Sequence, residues 1–128
     1  MKYLLDTHAL VWWLMDDPRL SAAARTALTN GDNEIAASAV SAFEIATKHR
    51  LGKWPEVGTL CADFVKYVMA ERFVLLPVKP SHALLAGQLT GDHKDPFDRL
   101  LAAQSKLESL TLVTADKAFN VFAVECLW

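Results

Sequence analysis

The chain has 128 residues, 52% of them hydrophobic, with a formal net charge of −2 and a pI near 6.0. That length suits one domain, residues 1–128, which can bury about two-thirds of its unfolded surface without a disulfide staple. The acidic balance excludes the broad basic face of a duplex-binding protein and leaves nucleic acid only through local patches or a metal.

Cys61 and Cys126 stand far apart with no metal-type spacing, so both read as core residues of a reduced, cytoplasmic protein. Asp6 and His8 interrupt the first apolar run. Neither a signal peptide nor a membrane-spanning helix is expected there.

In chain order, Lys2 to Leu5 is a short apolar run that reads as a buried strand, ending in Asp6, Thr7 and His8. Ala9 to Met15 suits a helix. Asp16, Asp17 and Pro18 break it before Ser21 caps a second helix running to Asn30 and Gly31. Glu34 to Ser38 is a second strand, and Ser41 opens a helix through about Leu51, with Gly52 beyond its end. Thr59 to Arg72 repeats Leu60, Phe64, Val65, Val68 and Met69 at helical spacing. Phe73 to Val78 follows as a strand with Pro77 at its edge or end, then Pro80 to Leu89 as a helix and Gly91 to Lys94 as a loop.

Asp95 stands where a helix N-cap belongs, and Pro96 suits the first helical position because its missing N–H has no partner to lose there. Leu100, Leu101, Ala103 and Leu107 mark the apolar face of that helix. Thr111 to Thr114 is a strand carrying Asp116 just past its end, Lys117 to Asn120 a helical turn, and Val121 to Trp128 a last strand. This alternation predicts an α/β fold, three layers deep, with a mainly parallel central sheet between helices.

Asp6, Glu44, Asp98 and Asp116 then fall at strand ends or in first helical turns, all on one rim of the sheet. Open α/β sheets keep their sites on that rim. Carboxylates gathered there repel one another and resist burial, and Mg²⁺, which takes a few carboxylates and several waters, relieves both. Such an ion polarises a phosphoryl oxygen and activates water, which is the chemistry of phosphodiester hydrolysis.

Each acid also has a purely structural reading. Ser41-x-x-Glu44 matches a capping box, Asp98 complements a helix dipole, and Asp95 is foremost a cap. Asp6 and Asp116 have no such duty beyond a turn. Both readings stay open from the residues alone. His8, His49, His82 and His93 lack metal spacing and are set aside as ligands. Trp12, Trp13 and Trp54 read as core or interface ahead of base-stacking platforms. Lys48, His49, Arg50 and Lys53 either hold a phosphate backbone or complement a helix C-terminus, and Arg99 and Lys117 either contact substrate phosphates or balance the acids.

Taken together, MKYLLDTHALVWW, SAVSAFEIATKHRLGK, HKDPFDRLLAAQ and LTLVTADKAF resemble the PIN-domain ribonucleases of the VapC toxin type over the whole chain. The combination and order carry the resemblance, above all DPFDRLLAAQ followed by TAD. It implies a PIN-like fold and a metal-dependent endoribonuclease, with Asp6, Glu44, Asp98 and Asp116 at a Mg²⁺ or Mn²⁺ site and Thr114 as a helper. Asp95 is outside the clear set. Many relatives have tryptophan where this chain has Phe43, a change that concerns packing. The resemblance further implies an RNA substrate, a cognate antitoxin and a homodimer, with no membrane. Two rivals remain: a metal-dependent phosphatase or phosphoacceptor domain, against which the missing D-x-D-x-T counts, and a catalytically silent interaction module, against which the four acids count.

Overall fold

The computed structural model describes residues 1–128. Five strands, β1 (Lys2–Leu5), β2 (Glu34–Ser38), β3 (Val74–Leu76), β4 (Thr111–Val113) and β5 (Cys126–Leu127), form one sheet in the order β3-β2-β1-β4-β5. Every pairing is parallel. The expected mainly parallel sheet is therefore parallel throughout, because each strand is followed by a crossover that returns the chain to the same end.

Apolar side chains leave β1, β2 and β4 on both faces, as a covered parallel sheet requires. Tyr3, Leu5, Ile35, Ala37 and Val113 pack under one helical layer; Leu4, Ala36 and Leu112 pack under the other. The first layer holds α1 (Thr7–Leu14), α2 (Ala22–Thr29) and α5 (Phe64–Ala70) through Leu10, Leu28 and Val68. The second holds α7 (Pro96–Leu107) through Leu101 and Ala102, and the N-terminal end of α3 (Ala39–Arg50) through Val40. Fully burying one leucine of this kind contributes about 1.5–3 kcal/mol.

Several boundaries differ from expectation. Helix α1 begins at Thr7, two residues early, because the Asp6 side chain caps it by accepting from the Ala9 N–H. Helix α3 begins after Ser38, whose hydroxyl accepts from the Val40 N–H; Ser41 is already inside the helix, so Ser41 and Glu44 form no capping box. Gly52 does follow the helix end, at φ 73°. Residues Thr59 to Arg72 are two helices, α4 (Gly58–Ala62) and α5, because Asp63 leaves helical geometry at φ −136°, ψ 39°. Between α3 and α4 lies a short 3₁₀ turn, Pro55–Val57.

The third strand is only Val74–Leu76, so Phe73 and Pro77 both lie outside it, and α6 (Pro80–Gln88) follows. Near the C-terminus, a 3₁₀ segment spans Lys117–Phe122 and buries Phe119 and Phe122, leaving only Cys126–Leu127 as strand. Cys126 is exposed and Cys61 half-buried, so neither thiol is a core residue. No helix is long and apolar enough to cross a membrane.

Candidate active site

From β1 the chain winds outward to β2 and β3, then returns to the other side of β1 for β4 and β5. The crossovers therefore diverge between the carboxyl ends of β1 and β4, and a crevice opens at such a switch point. Asp6, Thr7, His8, Trp12, Arg19, Glu44, Lys48, Asp95, Asp98, Ala115 and Asp116 line that crevice, which encloses about 410 Å³. The acids expected on one rim do converge.

Asp6 leaves β1 and is buried. One carboxylate oxygen accepts from the Ala9 N–H at 2.8 Å, and the other accepts from the Thr114 hydroxyl. The Thr114 oxygen in turn accepts from the Asp116 N–H at 3.0 Å. Thr114 thereby couples the ends of β1 and β4. Burial pushes the Asp6 carboxyl up to about 6; the two hydrogen bonds oppose that rise, and the neighbouring Asp98 and Glu44 add to it.

Glu44 sits in the second turn of α3 and is buried. Its Oε1 accepts from the Thr7 hydroxyl at 2.5 Å and its Oε2 from Lys48 Nζ at 2.5 Å. The Thr7 oxygen also lies 3.0 Å from the Ser41 hydroxyl. A buried carboxylate needs such partners, since desolvating an unpaired charge is prohibitive. Lys48, one α-helical turn beyond Glu44, is therefore part of the site rather than simply a dipole partner.

Helix α7 starts as the sequence predicts, with Asp95 accepting from the Phe97 and Asp98 N–H groups at 2.9 and 3.2 Å. This cap aims Asp98 into the cleft, where its carboxylate meets His93 Nε2 at 2.7 Å. Burial raises the Asp98 carboxyl to about 6 against the His93 hydrogen bond, with Asp95 and Glu44 adding repulsion. Asp116 is exposed and caps the Lys117–Phe122 turn, accepting from the Ala118 N–H at 2.9 Å. Asp6 and Asp116 thus do have capping duties, contrary to expectation, and Asp95 both caps its helix and borders the cleft.

Arg99 does not reach the cleft. Its guanidinium turns back to donate to the Ala86 carbonyl at 2.8 Å, the His93 carbonyl at 2.9 Å and the Leu89 carbonyl, while lying 5.4 Å over the Phe122 ring. It ties the end of α6 and the following loop to α7. Lys117 does not line the cleft either. Trp12 and Trp13 both pack, half-buried, against the first core cluster and Trp54 against a smaller one, and Trp12 and Trp54 in addition flank His8. Sequence reasoning gave Thr7 no role, read Ser41 only as a helix cap and set His93 aside as a ligand, whereas the structure ties Thr7 and, through it, Ser41 to Glu44 and His93 to Asp98. Their one local signal was adjacency to an acid or to a helix start, which many loop residues share.

No three acidic, histidine or cysteine side chains stand close enough to make a closed metal cage. A hard cation that takes one or two carboxylates and keeps most of its waters needs no such cage. The donors here are carboxylate oxygens, and two of them are pushed up in pKa by burial and mutual repulsion. That donor set fits Mg²⁺ or Mn²⁺ better than zinc.

Fold and site together define an all-parallel α/β domain with a carboxylate cleft at its switch point. Residues 3–125 match the family model described as PIN domain, and the chain belongs to that family. It is 33% identical to Ribonuclease VapC22 of Mycobacterium tuberculosis over 117 residues, which span 89% of this chain and 86% of that protein. The fold also matches a chain in the crystal structure of VapBC2 from Rickettsia felis bound to a promoter DNA fragment, at TM-score 0.70 and 19% identity, covering 99% of this chain and 98% of that one. DNA-bound VapBC from Salmonella typhimurium aligns at TM-score 0.71 and 17% identity, covering 99% of this chain and 97% of that one.

Proposed function

We propose that this protein is an endoribonuclease, the toxin of a toxin–antitoxin pair, which hydrolyses RNA phosphodiester bonds with Mg²⁺ or Mn²⁺. The observation that carries this reading is the convergence of Asp6, Glu44, Asp98 and Asp116 on one cleft at the switch point. The relative named Ribonuclease VapC22 supports the reaction class, and the fold shared with VapBC assemblies supports an antitoxin partner. The whole chain, 1–128, is read as one PIN-like domain that forms a homodimer. Exposed Phe43, Val65 and Met69 supply apolar surface for such contacts. Its two free thiols suit the cytoplasm.

Asp6, Glu44, Asp98 and Asp116 would hold the ion, directly or through water. When bound, the ion neutralises charge on the scissile phosphate and makes a hydroxide-like nucleophile available near neutral pH. Thr114 and the Ala9 N–H hold the Asp6 carboxylate in place, and Thr7 and Lys48 hold Glu44. Fixed acids of this kind need no reorganisation during the reaction. Lys48 and Arg19, both on the cleft wall, offer positive charge to the flanking phosphates.

The test uses protein freed of any partner. It should cut RNA in Mg²⁺ or Mn²⁺, stop in chelator, and leave 5′-phosphate and 3′-hydroxyl ends. Cleavage that persists in chelator excludes the metal, and failure to cut any RNA excludes the ribonuclease. Co-expression with the neighbouring small open reading frame should relieve growth arrest; equal growth with and without it removes the antitoxin.

A further inference from the structure

Beside the acidic crevice lies a second depression of about 360 Å³, lined by His8, Lys48, Lys53 and Trp54. His8 and Lys48 belong to both walls, so the two depressions adjoin. The His8 imidazole stacks on Trp54 with ring centres 4.7 Å apart and planes at 27°, and it lies tilted against Trp12 at 5.6 Å and 58°. Two half-buried indoles therefore fix the ring from within. His8 itself remains exposed.

Charge surrounds this aromatic group. Lys48 Nζ lies 5.8 Å from the Trp54 ring centre and the Arg19 guanidinium 5.1 Å from that of Trp12. Arg19 is paired with Asp17 and Lys48 with Glu44, whereas exposed Lys53 makes no ion pair within the chain. A flat ring set in a rim of cations matches the two needs of a nucleotide, a π-face for the base and positive charge for the phosphate. An A-form duplex cannot use such a seat, because its bases already stack on one another.

We propose that His8, braced by Trp54 and Trp12, is the stacking seat for one unpaired base of the RNA, with Lys48 and Lys53 holding the adjoining phosphates. The proposal rests on the ribonuclease reading for its occupant. It makes a single-stranded segment, rather than a helix, the part of the substrate that enters the cleft. His8 is then a positioning residue: it sets which phosphate arrives at the acids by fixing the neighbouring base.

The experiment measures KM and kcat of the full chain on a short single-stranded RNA in Mg²⁺, and the affinity for that RNA in chelator. His8→Ala should raise KM and Kd roughly 5- to 100-fold with kcat little changed, the range that losing one stacked base produces. His8→Phe, which keeps a ring but no imidazole, should restore both. On wild-type protein, an RNA with abasic positions should bind as weakly as ordinary RNA binds the His8→Ala variant, and that variant should bind the abasic strand no worse. The abasic arm needs no variant and stands even if a substitution impairs folding.

An unchanged Kd in His8→Ala, equal weakening on normal and abasic strands, or failure of His8→Phe to rescue overturns the seat. So does a loss confined to inhibition by the antitoxin, which would make the occupant a protein. If RNA is cut normally and His8 is indifferent, the seat alone fails. If base-dependent binding holds and no RNA is cut, the ribonuclease reading alone fails.

Discussion

The Thr7 hydroxyl donates to Glu44 Oε1 at 2.5 Å, joining the first residue of α1 to the second turn of α3 across 37 positions of sequence. Both residues are buried, so this bond and the Lys48 ion pair are what let a carboxylate sit at the base of the cleft. Thr7→Val keeps the shape and removes the donor. It should destabilise the protein by about 1–3 kcal/mol, the range for leaving a buried acceptor short of a partner. That corresponds to a fall of roughly 2–20 °C in Tm. A thermal melt in chelator measures it, and an unchanged Tm means Glu44 is satisfied without Thr7.

Substitution of Asp98 separates a metal site from a dipole partner. Asp98→Asn removes charge from a crowded cleft with little change of shape, so in chelator at pH 7.5 or so the variant should melt at or above the wild-type temperature. Saturating Mg²⁺ at a hundred times its Kd adds about 2.7 kcal/mol to the wild type, and the variant should lose most of that increment. Asp116→Asn should lose the increment too while keeping its cap, since asparagine caps as well as aspartate. If both variants melt lower with and without Mg²⁺, the acids serve only the helix ends.

The contribution of Asp6 and Asp98 to metal-free stability should fall as pH rises. Asp6 and Asp98 titrate near 6 in the folded protein and near 3.8 when unfolded. Between those values the folded state holds protons that the unfolded state has released, so stability is greatest below about pH 4 for these groups and declines through pH 6. For buried Asp6 the change is at most about 3 kcal/mol; the more solvent-accessible Asp98 contributes less. Urea melts of wild type and Asp6→Asn at pH 5 and pH 8 isolate the effect as a difference. A variant with the same pH slope as wild type would falsify the assignment to Asp6.

Arg99 should matter for the fold and not for RNA. Its donations to the carbonyls of Ala86, Leu89 and His93 tie down the loop that carries His93 to Asp98. Arg99→Met keeps much of the aliphatic stem but frees those carbonyls, and should lower stability by roughly 2–4 kcal/mol, since charged hydrogen bonds contribute about 1.5–3 kcal/mol each before water replaces some of them. The salt dependence of RNA affinity should not change, as Arg99 meets no phosphate. A shallower slope of affinity against salt in the variant would return Arg99 to the substrate.

Much of this molecule is legible locally. The Asp95-Pro96 start of α7, the apolar strands Lys2–Leu5 and Thr111–Val113, and Gly52 after α3 follow from nearest-neighbour rules of capping, periodicity and left-handed backbone. The four acids were also visible, as charges at the ends of elements whose apolar faces do not account for them. What local rules cannot supply is which ends meet. Only the order β3-β2-β1-β4-β5 sets β1 beside β4, bringing Asp6 to Thr114 across 108 positions and opening the crevice between them. The same long-range packing moved boundaries: Ser41 lies inside α3 with its hydroxyl facing Thr7, so Ser38 takes the cap. It also turned Arg99 away from the acids, because carbonyls left over at the end of α6 stand within its reach. Short-range sequence set the elements and the charges; pairing between distant segments, invisible to any local window, decided which charges share a site.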